Sequence, residues 1–398
     1  MFSFDTPPPL SLYVHLPWCV RKCPYCDFNS YARRDEALPE SGYLKALLKD
    51  MEHEAATASE REIQTIFIGG GTPSLFSAEA IGAVLGAARS KLSLASDVEI
   101  TLEANPGCAE AARFAAYRDA GVNRLSIGVQ SFNDVHLRVL GRIHSAADAV
   151  RAVEAATTAG FDNFNIDLMY GLPGQTASQA QADLSAATEL APDHISYYQL
   201  TIEPNTAFHA TPPKLPDDDA IWEMHEQGHE LLGARGYEQY EVSAFAKTSR
   251  RCRHNLNYWS FGDYIGIGAG AHGKITNTQE QTITRYWKHR QPAQYMRTAQ
   301  AGAASGERRS LSMSDTAFEF MLNRLRLSEG FDADEFAAST GLCMDSMATP
   351  LKQAVERGLL RADDEQFHTT ALGRRFLNDL TAMFLPVAEA ESANGTAL

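Results

Sequence analysis

The sequence predicts an α/β fold in two parts: a partial barrel of six strand–helix units, then a small C-terminal domain of short helices and a wing, winged-helix-like in pattern. Three observations lead there. Strand-like and helix-like runs alternate about six times before residue 235, polar residues recur at the carboxyl ends of separate strands, and after residue 310 the pattern changes to short helices. Strict alternation requires parallel strands with helical crossovers, in a doubly wound sheet or a barrel. The polar residues decide between them. Tyr13, the turn at 69–72, Glu103, Gln130 and Asp167 lie in or just after five different strands, at the ends where barrel sites gather. A doubly wound sheet would instead draw on the strands beside one switch point. Six units rather than eight leave the barrel open on one side.

Taken in order, the strands are "SLYVHL" (11–16), "TIFIGG" (65–70), "DVEITLEA" (97–104), "RLSIGVQ" (124–130), "NFNIDLMYG" (163–171) and "HISYYQLTI" (194–202). Between them lie helical stretches such as "SGYLKALLKDMEHEAA" and "SAEAIGAVLGAARSKL", each opening on a serine suited to an N-cap. This first domain is expected over residues 1–235. A barrel-closing segment and linker follows over 236–310, in which 274–310, polar and rich in Gln, Thr and Arg, reads as the connection. Over 311–385, "DTAFEFMLNRLRL", "DADEFAAST" and "MATPLKQAVERGLL" read as three helices and "LRADDEQFHTTALGRRF" as the wing. The tail, 386–398, is expected to be disordered.

Composition narrows the function. The 398 residues are 44% hydrophobic and 21% charged, an ordinary globular balance, with a net charge of −15. A winged helix raises DNA binding as a reading, but the negative charge and the pair Asp363 and Asp364 in the wing oppose phosphate contacts. The C-terminal domain is therefore expected to pack on the barrel. The N-terminus "MFSFDTPPPL" has no basic region followed by an apolar stretch, and no eighteen-residue apolar run occurs. A soluble cytoplasmic protein is expected, with no nucleic acid partner and no membrane span.

The stretch "HLPWCVRKCPYCDFNSY" (15–31) concentrates three of the six cysteines. An odd trio cannot pair off internally, and a structural zinc site wants four ligands. Cys108, Cys252 and Cys343 stand alone in the sequence and offer no second pair. A [4Fe–4S] cube on Cys19, Cys23 and Cys26 would keep one iron open, a reactive arrangement. Such a cluster and reduced thiols suit the cytoplasm.

The order of "YVHLPWC", "CVRKCPYC", "GGGTPS", "LEANP", "SIGVQSF", "LGRIHS" and "NIDLMYGLPGQT" resembles the radical S-adenosylmethionine (radical SAM) superfamily. Within it, the chain is similar to the branch that holds oxygen-independent coproporphyrinogen III dehydrogenases of porphyrin biosynthesis and the HemW haem chaperones. The likeness runs over residues 11–272 and, more weakly, to about residue 380. It implies a partial (βα)6 radical-SAM barrel with Cys19, Cys23 and Cys26 as cluster ligands. The open iron would be chelated by the amino and carboxylate groups of S-adenosylmethionine, with Gly70, Gly71 and Thr72 in contact with that molecule. Tyr13, Glu103, Gln130, Arg142 and Asp167 match further nucleotide-site positions. An acid at a strand end suits ribose hydroxyls, an arginine suits a carboxylate, and either acid can serve the sugar or the ammonium.

A second motif separates the two relatives. In "RCRHNLNYWSFGDYIGIGAGAHG" (251–273), His254, Asn255, Tyr258 and Trp259 form an H-N-x-x-Y-W pattern that resembles HemW rather than the dehydrogenase. His254 then becomes the candidate axial ligand of haem carried as cargo, with Cys252 as the rival and the two aromatics flanking the macrocycle. Without that resemblance, the segment reads as a loop closing the barrel. The dehydrogenase has a further cysteine two positions after its third, where this chain has Phe28, and a longer segment before the motif, where this chain has eighteen residues. The resemblance thus implies delivery of haem to recipient haem proteins, respiratory ones at the membrane, and admits a homodimer. Coproporphyrinogen III dehydrogenation is the alternative.

Overall fold

The structure, a computed structural model, describes residues 1–33, 37–58, 61–107, 111–363 and 366–386. Six strands, β1 (Leu10–Leu16), β2 (Glu62–Gly70), β3 (Ser93–Ala104), β4 (Arg124–Gln130), β5 (Phe164–Tyr170) and β6 (His194–Gln199), pair in chain order, all parallel. They are the six strands expected from sequence. Leu12, Ile66, Leu102, Ile127 and Ile166 from their centres are fully buried in one core, while the alternate positions Ser11, Thr65, Thr101, Ser126 and Asn165 place buried polar side chains on the other face of the sheet.

Helices α1 (Glu40–Ala58), α2 (Ala78–Lys91), α3 (Phe114–Ala120), α4 (Ala146–Thr158), α5 (Ala177–Glu189) and α6 (Asp218–Ala234) follow these strands. Ser77 caps α2 as expected, accepting from Ala80 N. Ser41 does not cap α1, which already begins at Glu40. The Glu40 carboxylate instead reaches the cap of the next helix, accepting from Ser77 N at 2.6 Å and Ser77 Oγ at 2.8 Å. Reciprocal capping boxes, Ser145 with Asp148 and Thr176 with Gln179, start α4 and α5.

The sheet does not stop at six strands. β7 (Glu238–Glu241) and β8 (Ala244–Ala246) add to the β6 edge as an antiparallel pair. On the other edge β9 (Asp263–Ile267), which follows α7 (Arg253–Trp259), runs parallel to β1. β10 (His272–Asn277), β11 (Thr282–Lys288) and β12 (Ser305–Ser310) continue outward, antiparallel. Twelve described strands thus form one open sheet, ordered β12-β11-β10-β9-β1-β2-β3-β4-β5-β6-β8-β7.

The expectation that 274–310 is a connection is therefore corrected: the segment is sheet, with helix α8 (Pro292–Gln300) between β11 and β12. Buried charges hid it from the hydropathy pattern. Lys274 in β10 is neutralised by Asp263 at 2.8 Å, and Lys288 in β11 by Asp50 at 2.6 Å and Glu54 at 2.7 Å. A lysine is buried at such a position only when paired.

The C-terminal part consists of α9 (Met313–Arg324), α10 (Ala333–Thr340) and α11 (Ala348–Glu356), then the hairpin β13 (Leu360–Asp363) and β14 (Gln366–Thr369), and two short helices, Ala371–Arg375 and Leu377–Ala382, which the sequence pattern does not separate from the wing and the residues after it. Phe320, Phe331, Phe336, Leu351 and Leu380 form its own core, which also takes in Phe4 and Phe261. Three helices and a wing match the sequence pattern. Asp363 pairs with Arg361 on the hairpin; Asp364 and the tail from 387 lie outside the described residues. Among the described residues no helix is long and apolar enough to cross a membrane.

Candidate functional site

The cysteine loop leaves the carboxyl end of β1 and is pinned by Lys22, whose Nζ donates to the carbonyls of Phe28 at 3.0 Å and Ser30 at 3.3 Å. Cys19, Cys23 and Cys26 face a cavity of about 530 Å3 together with Gly70, Gly71, Thr72, Glu103, Gln130, Arg142 and Asp167. None of the three thiols is in a disulfide. Burial pushes the Cys19 thiol up to about 11 and raises that of Cys26. A tetrahedral ion would draw its thiolates to within about 3.8 Å of one another. Among the described residues, no group of three or more His, Cys, Asp or Glu is gathered closely enough to hold a single metal ion. A cube, which takes each thiolate on a different iron, has no such requirement. Arg142 lies beside the trio, with Nη1 3.8 Å from Cys23 Sγ, and its buried Nε has no hydrogen-bond partner. Three thiols and a cation with a vacant donor fit an anionic cluster. Cys343 is exposed, Cys252 is buried elsewhere, and Cys108 lies outside the described residues.

The glycine turn knits β2 to this loop. Gly71 N donates to Leu16 O at 2.9 Å and Thr72 N to Trp18 O at 2.8 Å. A Cβ on Gly71 would lie 2.6 Å from Trp18 O, and Gly70 has φ +123, so both positions require glycine before any ligand is considered. Gly70 N donates to Glu103 Oε2 at 3.0 Å. Burial, and then the neighbouring Asp167, pushes Glu103 up to about 8. Asp167, raised by its burial, accepts from Asn165 Nδ2 at 2.7 Å and Ser126 Oγ at 3.1 Å. Neither acid forms an ion pair among the described residues. Two such carboxyls suit a ligand that brings hydroxyl or ammonium donors. Gln130 has φ +70, a strained state for a residue with a side chain, and its Oε1 accepts from Tyr198 OH at 2.6 Å.

Tyr13 and His254 face a second cavity, of about 810 Å3, which shares Phe28, Gly70, Glu103, Asn255 and Trp259 with the first. The Tyr13 ring stacks on Phe67, and Phe67 stacks on His254 with centroids 4.7 Å apart. The His254 tautomer follows from its neighbours. Thr65 Oγ1 spends its proton on Ser11 Oγ at 2.8 Å, so it accepts from His254 Nδ1 at 3.2 Å. The Nε2 lone pair is left without a hydrogen-bond partner among the described residues. Burial, and then Arg124, lowers the imidazole to about 3, which keeps it neutral. Glu99 of β3 holds the start of α7, accepting from Arg253 N at 3.2 Å and His254 N at 3.1 Å. Cys252 Sγ turns to the same carboxylate at 3.6 Å and lines neither cavity. Trp259 is covered by Arg326 of the C-terminal part, 4.3 Å from the ring centroid, and Arg326 Nε is held by Glu241 at 2.9 Å.

Two family models match, the radical SAM superfamily over residues 13–187 and the HemN C-terminal domain over 311–376. The heme chaperone HemW of Escherichia coli (strain K12) is 52% identical over 378 residues, which are 95% of this chain and 98% of that protein. The chain belongs to the HemW family. The HemW of Bacillus subtilis (strain 168) is 35% identical over 94% of this chain and 99% of its own length. A solved structure, the coproporphyrinogen III oxidase HemN from Escherichia coli, described as a radical SAM enzyme, superposes with a TM-score of 0.80 at 25% identity. It covers 95% of this chain and 90% of that one.

In this HemW-family chain, ten of the twelve residues singled out from sequence line the first cavity, while Tyr13 and His254 line its neighbour. Several lining residues went unselected. Asn105, which bonds Thr72 Oγ1 at 2.9 Å and accepts from Arg142 at 2.6 Å, stands inside the quoted "LEANP" and was within reach. Tyr198, Glu241 and Arg326 carry no local signal, because packing between distant elements brings them to the site.

Proposed function

We propose that this chain is a haem chaperone: it takes haem into the aromatic cavity, with His254 as axial ligand, and passes it to recipient haem proteins, respiratory ones among them. On the same reading, Cys19, Cys23 and Cys26 hold a [4Fe–4S] cluster in the adjoining cavity. Gly70, Gly71, Thr72, Glu103, Gln130, Arg142 and Asp167 receive S-adenosylmethionine there, with Tyr13 in the neighbouring cavity. When bound, the cluster's open iron supplies a site for the amino and carboxylate groups of that molecule. The protein would work in the cytoplasm.

One observation carries the haem assignment. Thr65 and Ser11 fix the His254 tautomer so that an unpartnered Nε2 lone pair remains at a cavity walled by Phe67, Tyr258 and Trp259, and a neutral imidazole is a common haem ligand. The test is a haem titration of anaerobically reconstituted wild type, His254→Ala and Cys252→Ala. His254→Ala is expected to lose affinity and shift the Soret band, with Cys252→Ala close to wild type; the reverse result moves the ligand to the thiolate. The likeness to the HemN structure favours coproporphyrinogen III dehydrogenation as a second reading. Phe28, which lines both cavities in place of the additional cysteine, opposes it. No sustained conversion of coproporphyrinogen III is expected when S-adenosylmethionine and a reductant are supplied.

A further inference from the structure

The floor of the second cavity is a single cross-strand row. Phe67 of β2 lies opposite Tyr13 of β1, and Tyr13 opposite Gly266 of β9. β10 follows β9 in the sheet, with Lys274 opposite Tyr264, and His272 of β10 lies opposite Trp287 of β11. Residues opposite one another share a face of the sheet, and Phe67, Tyr13, His272 and Trp287 line the cavity. At about 4.8 Å per strand, Phe67 and His272 are roughly 14 Å apart along the sheet, room for a flat macrocycle. A Cβ on Gly266 would lie 1.8 Å from the His272 carbonyl oxygen, so the His272 backbone crosses there only because the position is glycine.

The two ends of this floor differ in charge. Arg290 lines the end beside His272 and Trp287, whereas no lysine or arginine lines the end beside Phe67 among the described residues. The Arg290 backbone is fixed, its carbonyl accepting from Asn29 Nδ2 at 2.9 Å and Tyr31 OH at 3.2 Å. Its exposed guanidinium has no hydrogen bond or ion pair among the described residues, and neither ring nitrogen of His272 has a hydrogen bond. Glu307 extends the row onto β12 opposite Trp287, but it does not line the cavity.

We propose that His272 and Arg290 form a carboxylate-binding rim that seats the macrocycle in one orientation, its acidic edge at the mouth and its apolar edge against Phe67 and Tyr258. The inference rests on haem occupying this cavity. A guanidinium meets a carboxylate in bidentate geometry, and a neutral imidazole donates one N–H. The reversed seating would place the carboxylates at an end that offers no cation among the described residues.

The experiment titrates the full-length protein, anaerobically, with haem and with haem dimethyl ester, which keeps the ring and iron but has no carboxylates. Wild type is expected to bind the free acid about tenfold more tightly than the ester, the worth of a charge-assisted hydrogen bond. Arg290→Gln should lose that preference while its ester affinity and Soret position stay at wild-type values; Arg290→Lys should keep part of it, and His272→Phe should weaken acid binding alone. Equal binding of acid and ester by wild type overturns the rim while leaving haem binding intact, as does Arg290→Gln that loses affinity for both equally. Wild type that binds neither compound overturns the haem cavity and the rim together.

Discussion

Glu103 is the carboxyl group that both cavities share, and burial keeps it protonated at neutral pH, its value raised to about 8. A cationic ligand beside it favours the carboxylate. Binding of S-adenosylmethionine is therefore expected to release a proton at pH 7 and to tighten as pH rises through about 8. Calorimetry in two buffers of different ionisation enthalpy reads the proton, and Glu103→Gln should remove it and weaken binding about tenfold. A buffer-independent enthalpy in wild type would contradict the assignment. The cysteines give a second test. Anaerobic reconstitution should load roughly four irons per chain, and Cys19→Ala, Cys23→Ala and Cys26→Ala should each abolish this, whereas Cys343→Ala should load fully. At this scale the sequence was most legible where spacing itself is chemical, as in the three thiols, and least where a residue acts through a distant partner. His254 could be singled out as a candidate ligand from its motif, but its tautomer rests on Thr65 and Ser11, 189 positions and more away in the chain.

Among the elements, α7 depends on a carboxylate from another strand. Its N-cap, Cys252, makes no side-chain capping bond, and Glu99 takes the first amides instead. Glu99→Ala is expected to cost about 1–2 kcal/mol, as the loss of a cap does, and to weaken haem binding while iron loading stays normal. Urea unfolding, haem titration and iron analysis read these separately; normal haem affinity would show that α7 holds His254 without it. β11 offers a sharper case. Lys288→Met leaves Asp50 and Glu54 buried without their lysine, and such a broken buried pair costs about 3–5 kcal/mol, measurable as a lower urea midpoint. The same charges explain an error of reading. β1 to β6 announce themselves because one face of each carries apolar residues at every second position, whereas β10 and β11 place lysines inside, paired with acids on β9 and α1 that no local window contains.

For the whole molecule, acid sensitivity divides among buried histidines. His229 of α6 packs on His225 with ring centroids 3.9 Å apart, and burial, then His225 and Arg374, lowers it to about 4. The folded state thus binds its proton less readily than the unfolded chain, whose histidines titrate near pH 6.5. The contribution of His229 to stability is full above that pH and is lost as pH falls towards 4. His229→Gln should therefore lose less stability than wild type between pH 7 and pH 4.5, each measured against its own value at pH 7; parallel losses would refute the shift. The two-part architecture was legible in the change of pattern after residue 310, but the join was not. Ser3 N bonds Gly341 O at 2.9 Å, and Phe4 enters the C-terminal core, contacts between chain ends that no motif encodes. The central position of β1 has a consequence in time. Its partner on one side, β9, begins at Asp263, roughly 250 residues after β1 ends, so at about 5–20 residues per second a ribosome leaves that edge of the sheet unpaired for roughly 12–50 s. A nascent chain of this protein therefore carries an open, apolar strand through most of its own synthesis, and its yield should depend on whatever shields such edges until β9 emerges.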